Sequence, residues 1–186
     1  MNEPDSRHSQ HPENLTGSFE ITIDQDCWQD WTVDLADLCQ QLLNHVLNSL
    51  EFDIDIRQEL KDTSIEVSFL FTSNDRIQEL NRDFREKDKP TNVLSFPDTP
   101  LSAQTLQEAN KFGENLCLGD IALAEGVIIE EAKEQDKAAQ DHLQHLIIHG
   151  LLHLLGFDHI EDDEAEIMEQ LEIEILADLG IRNPYL

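Results

Sequence analysis

SIEVSFLFTSNDRIQELNRDFR, residues 64–85, changes its hydrophobic period at Ser73. Up to Thr72, the residues Ile65, Val67, Phe69 and Phe71 share one face and Glu66 and Ser68 the other, until Leu70 interrupts the polar side. Such alternation predicts a strand. Beyond it Ser73 or Asn74 can cap a helix, and Ile77, Leu80, Asn81 and Phe84 form an inward stripe that ends near Arg85. Working outward, FEITID (19–24) alternates as a short strand, and from Asp34 the residues Leu35, Leu38, Cys39, Leu42, Val46 and Leu50 recur at helical spacing. The loop EKDKPTN (86–92) leads to a strand VLSF (93–96) that Pro97 stops, and residues 98–115 read as a variable loop. LCLGDIALA (116–124) is a further strand, in which Gly119 signals a bulge or a close backbone approach. One helix is expected over about 130–155 and, past the turn GFDH (156–159), a last one over about 162–179 with Asp162 or Asp163 as its cap. Strands mixed with helices and a helical C-terminal end predict an α+β fold, a single domain with a small mixed β-sheet packed with helices.

The 186 residues suffice to bury a core without disulfide staples. Residues 1–18 are polar, hold almost nothing to bury, and are expected to form a disordered tail, leaving 19–186 as one domain that carries the activity. Twelve Lys and Arg stand against 40 Asp and Glu, a formal net charge of −28. Most of such a surface repels anionic membranes and nucleic acid, so a polyanionic substrate requires a local cationic site. Cys27, Cys39 and Cys117 are odd in number and widely spaced, which matches neither a disulfide framework nor a thiolate zinc site and points to a reducing compartment. No basic-then-apolar leader opens the sequence and no apolar run approaches the roughly 20 residues of a membrane span, so a cytoplasmic location is expected.

HGLLHLLGFDH (149–159) sets three histidines in one of the most apolar parts of the chain. On a helix, residues four apart lie about 40° apart round the axis and about 6 Å along it, so His149 and His153 can aim at one point. A third ligand one turn further on would overstretch metal–nitrogen bonds of about 2.0–2.1 Å, so the chain must reverse. Gly156 can take a positive φ at little cost, end the helix and let His159 return toward the pair. The competing reading is three unrelated histidines, each with its own hydrogen bonds. Beside Leu151, Leu152, Leu154 and Leu155, however, a single divalent ion satisfies all three rings together, and His149, His153 and His159 are the expected metal ligands. His145 with His149 is a rival pair, but only 149 with 153 is followed by the glycine turn and a third histidine. His145 is then a supporting or surface group and His142 plain surface.

Three neutral nitrogens leave a fourth position for water, the layout of a catalytic zinc site. The spacing is that of the metzincin proteases, yet Gly150 stands where their general-base glutamate would be. Peptide hydrolysis thereby lacks its proton shuttle, whereas a phosphodiester is less demanding. Asp158 is a candidate base or a cap for the turn.

Arg76, Arg82, Arg85, Lys87 and Lys89 are five of the twelve basic residues, within fourteen positions. Glu79, Asp83, Glu86 and Asp88 nearly cancel them, so a solvated helix face competes with a phosphate site. Arg85, at a helix end before a strand, is the candidate catalytic residue because its planar fork can grip a phosphate bidentately. Residues 158–178 carry ten acids and no Lys or Arg, either favouring a helix N-terminus or forming an acidic wall.

The histidine motif, with LNRDFREKDKPTNVLSFP (80–97) and LGDI (118–121), resembles the YbeY endoribonuclease family of bacterial rRNA maturation factors, from about residue 19 to the end. The resemblance implies one Zn2+ per chain, or another divalent metal, on His149, His153 and His159, with Arg85 matching the family's functional arginine. It implies metal-dependent, single-strand-specific endoribonuclease activity in small-subunit ribosomal RNA 3′-end maturation and ribosome quality control. The implied partners are single-stranded RNA, the ribosomal small subunit, a small-subunit ribosomal protein and an assembly GTPase, and no membrane. Asn92 stands where many members have Asp, and Glu86 where Gly is common. The alternative is a ribosome-assembly factor with a mainly structural zinc site, acting by binding; a residual protease is disfavoured by Gly150.

Overall fold

In the computed structural model, which describes residues 15–186, the alternation at 64–72 becomes the strand β2 (Ile65–Thr72), an inner member of a four-stranded mixed sheet. With β1 (Ser18–Ile23), β3 (Val93–Pro97) and β4 (Leu116–Ala124), the order across the sheet is β1-β2-β4-β3. β1, β2 and β4 are mutually parallel, and β3 runs antiparallel to β4 at one edge. Val67, Phe69 and Phe71 share a face with Ile121 and Leu123 and are buried against α2 (Leu35–Ser49) and α7 (Ala139–Leu154). Each such side chain contributes about 1.5–3 kcal/mol by leaving water, so this face dominates the stability. On the other face Leu70, Leu94, Ala122 and Ala124 meet Ile77 and Leu80 of α4 (Asn74–Arg85) in a smaller cluster. The single α+β domain expected from the sequence is the fold.

Gly119 has φ 131°, and a Cβ there would lie 2.1 Å from the Phe96 carbonyl oxygen, the close approach its position signalled. Helix α4 is capped by the Ser73 hydroxyl, which accepts from the Arg76 N–H. It ends at Glu86, held left-handed at φ 59°.

Several boundaries differ from expectation. The stretch 98–115 is not all loop: it contains α5 (Ala103–Phe112), which buries only Leu106 and so lacks an apolar period. Its ends define it instead, through a capping box between Ser102 and Thr105 and a left-handed Gly113. Ser102→Ala should therefore lower stability by about 1 kcal/mol in a denaturation series, with little change in activity. The helix expected over 130–155 is two, α6 (Glu125–Glu134) and α7, separated where Asp136 takes φ 52° and the Lys137 N–H turns back to the Ala132 carbonyl. The last helix, α8 (Asp162–Asp178), has Glu161 rather than Asp162 or Asp163 at its cap; both aspartates sit in the first turn, where the dipole favours them. Two short helices, α1 (Gln25–Trp28) and α3 (Ile54–Glu59), carried too few residues to show a period.

The expected tail lies outside the described residues over 1–14. Residues 15–18 belong to the folded unit: Leu15 and Gly17 donate their N–H groups to the Asn48 and Asn44 side chains, and Ser18 opens β1. Among the described residues no helix is long and apolar enough to cross a membrane.

Candidate metal centre

Helix α7 crosses the core face of the sheet over β3 and β4. Gly150 is buried at the crossing, where a Cβ would stand 3.0 Å from Ile121 and 3.2 Å from Ser95 Oγ. Position 150 thus faces the sheet and has no room for the glutamate a zinc protease would carry.

His149 and His153 meet at right angles, with ring centroids 4.6 Å apart and their Nε2 atoms 3.1 Å apart. His149 Nδ1 is 2.7 Å from Glu172 Oε1, and His153 Nδ1 is 3.0 Å from the Phe157 carbonyl oxygen. Both partners accept only, so each Nδ1 carries a proton and each ring turns its Nε2 toward the other. Two ring nitrogens at that distance share a cation between them, a proton or a metal ion. Gly156, at φ 94°, reverses the chain as expected and brings the exposed His159 ring to 4.9 Å from His153 and 5.4 Å from His149, centroid to centroid. One ligand nitrogen from each histidine lies within 4.8 Å of the others. Nitrogens sharing a tetrahedral ion at about 2.0–2.1 Å stand about 3.4 Å apart, a spacing close to that of the His149–His153 pair. Among the described residues this is the one such cluster, and it can hold a metal ion. Burial, then the neighbouring His149, hold His153 below the ordinary imidazole value, which favours the neutral form a ligand needs. The three cysteines are free and contribute nothing; burial pushes the Cys39 thiol up to about 12.

His145 does not join the cluster. Its Nε2 lies 2.7 Å from Glu172 Oε2, and the group that could hold an ion is made of His149, His153 and His159. His142 is not surface but buried, 2.8 Å from Glu131 Oε2, and burial pushes its imidazole pKa down. Asp158 accepts from the His159 N–H and so caps the turn.

Sequence reasoning missed Glu172 altogether, counting it with the acidic wall. It is fully buried in α8 and accepts from His149, from His145 and from the Tyr185 hydroxyl. Burial alone would raise its carboxyl, but these donors outweigh it and hold the group down at about 2. The available signal was helical spacing: Glu172 falls in one stripe with Met168, Ile175 and Leu176, all buried.

Arg85 ends α4, exposed, with Nη2 donating to the Ser95 carbonyl oxygen at 2.9 Å and the guanidinium 6.0 Å from the Phe96 ring centre. Ser95 therefore offers its carbonyl to Arg85 and its hydroxyl toward Gly150, next to His149. Arg76 and Arg82 pair with Glu79 and Asp83, as a solvated face would; among the described residues Arg85 has no carboxylate partner.

A family model described as Endoribonuclease YbeY matches residues 22–180. A protein named Endoribonuclease YbeY from Francisella tularensis subsp. novicida (strain U112) is 54% identical over 121 residues, 65% of this chain and 72% of its own length. The protein of that name from Francisella tularensis subsp. tularensis (strain SCHU S4) is likewise 54% identical over 121 residues, 69% of its length. The solution structure of a Thermotoga maritima protein aligns over 87% of this chain and 91% of its own, at 25% identity and a TM-score of 0.48.

Proposed function

The chain belongs to the endoribonuclease YbeY family and is a hydrolytic nuclease that acts on RNA, and from that premise we propose that residues 19–186 form a zinc-dependent, single-strand-specific endoribonuclease domain. The observation that carries the metal is the facing pair of Nε2 atoms on His149 and His153, 3.1 Å apart, with His159 returned beside them. An all-nitrogen set of three suits Zn2+ and matches the residue types of open, catalytic zinc sites. When bound, such an ion supplies Lewis-acid stabilisation of developing phosphate charge and lowers the pKa of water.

The protein's own groups do the rest. Glu172 and the Phe157 carbonyl hold the protons of His149 and His153 on Nδ1. Arg85 is the catalytic residue that grips the scissile phosphate: Ser95 and Phe96 steady its guanidinium while the remaining donors of the fork stay available. In a chain of net charge −28, this cation is what admits a polyanion. Arg85→Ala should keep its metal and its fold but cleave single-stranded RNA about 10- to 100-fold more slowly, because a hydrogen bond to a charged group is worth about 1.5–3 kcal/mol. Unchanged cleavage by that variant would remove Arg85 from the mechanism.

The physiological substrate we propose is small-subunit ribosomal RNA at its 3′ end, in the cytoplasm, with roles in maturation and ribosome quality control. A small-subunit ribosomal protein and an assembly GTPase are the proposed partners. The strongly negative charge favours delivery of the RNA by such partners over unaided binding. It also supports a second reading, an assembly factor whose zinc is mainly structural. Small-subunit assembly in cells carrying Arg85→Ala separates the two: normal assembly favours binding, defective assembly favours cleavage.

A further inference from the structure

Glu172 is the only fully buried carboxylate among the described residues. An ionised carboxylate in that position is costly unless it is fully hydrogen-bonded, and an apolar side chain of similar volume would serve packing as well or better. Its neighbours along the stripe, Met168, Ile175 and Leu176, show how α8 buries that face without charge. Stability therefore does not call for an acid here. The hydrogen bonds do: one oxygen, Oε1, takes His149 Nδ1 at 2.7 Å, while Oε2 takes His145 Nε2 at 2.7 Å and the Tyr185 hydroxyl.

We infer that Glu172 is a positioning residue for the metal centre: it fixes the tautomer and rotation of His149, while His145 and Tyr185 hold the carboxylate in the orientation that does so. The inference rests on the reading of His149, His153 and His159 as ligands. His145 has no partner on its other ring nitrogen among the described residues, so its hydrogen bonding is directed to Glu172 alone. Tyr185 is itself held in place, because its N–H donates to Asn183 and Lys137 grips the Pro184 carbonyl. The last residues of the chain thereby reach the ligand set through a single carboxylate. His153 is oriented by the Phe157 carbonyl instead, so the two helical ligands have independent supports. Carboxylate support of this kind sets ligand basicity and ring orientation, and its removal typically weakens metal binding about 10- to 100-fold.

The test uses the full-length protein, stripped of metal and titrated with Zn2+ and Co2+ against a chromophoric chelator. Glu172→Gln, which keeps the shape, should bind both ions about 10- to 100-fold more weakly and shift the visible Co2+ absorption, with unchanged circular dichroism. Tyr185→Phe should weaken binding about 2- to 10-fold. In metal-free wild type above pH 8, long-range 1H–15N NMR should find His149 protonated on Nδ1. Equal affinity and an identical Co2+ spectrum in Glu172→Gln would overturn the inference, as would a His149 proton on Nε2. Should Glu172→Gln not fold, Tyr185→Phe and the tautomer decide. Wild type that takes up neither ion would instead defeat the ligand assignment, a separate failure from a wrong tautomer.

Discussion

Replacing His153 with alanine is expected to slow cleavage of single-stranded RNA by more than about 100-fold, since even partners behind the ligands typically cost 10- to 100-fold when lost. The removed ring supplies one of the two Nε2 atoms that face each other at 3.1 Å, and His159 lies on an exposed turn that cannot replace a helical ligand. Two nitrogens would remain where a closed coordination shell needs more. Excess zinc should not restore the activity. The structural cost is modest by comparison: the Phe157 carbonyl loses a donor, worth about 1 kcal/mol. Metal analysis of the purified variant, alongside cleavage rates and a thermal melt, checks the expectation. A folded, metal-poor and inactive protein is the expected outcome, and wild-type cleavage would show that the ion is dispensable.

Gly150→Glu, the change that completes the protease motif, should strongly destabilise the protein rather than create a peptidase. The new Cβ would meet Ile121 at 3.0 Å and Ser95 Oγ at 3.2 Å, where two elements of the core press together. Beyond it a carboxylate would have to sit between α7 and the sheet. Overpacking of this kind costs about 1–3 kcal/mol, and an unpaired buried charge adds about 3–5 kcal/mol. Against a typical domain stability of about 5–15 kcal/mol, that is a large share, and at the low end the whole of it. Denaturant unfolding of the soluble fraction measures the loss, and Gly150→Ala should lie between variant and wild type. A stable Gly150→Glu protein would mean that helix and sheet part more readily than their contacts indicate.

What could be read from residue order alone depended on how many apolar side chains an element buries. Strand β2 and helix α2 bury most of one face and announce themselves by period. Helix α5 buries one leucine, and its ends, not its middle, specify it. The interruption between α6 and α7 turns on a single aspartate forced into the left-handed region, which no composition rule flags. At the site, the three clustered histidines were legible because spacing and a glycine bend are local properties. Glu172 was not, because its meaning lies in contact with residues more than twenty positions away, and nine similar acids surround it in sequence. Its place inside an otherwise apolar stripe was the one trace of that role.

The guanidinium of Arg85 also bears on how the protein behaves at high concentration. β3 is a lateral strand of the sheet, and the hydrogen-bonding groups along its outer side are a template on which another polypeptide could grow. It is short, it ends in Pro97, and the outward carbonyl of Ser95 is already taken by the arginine. Truncating that arginine uncovers the template as well as emptying the phosphate grip. Loss of turnover in such a variant is therefore interpretable only beside a light-scattering or sedimentation measurement that shows it still monodisperse.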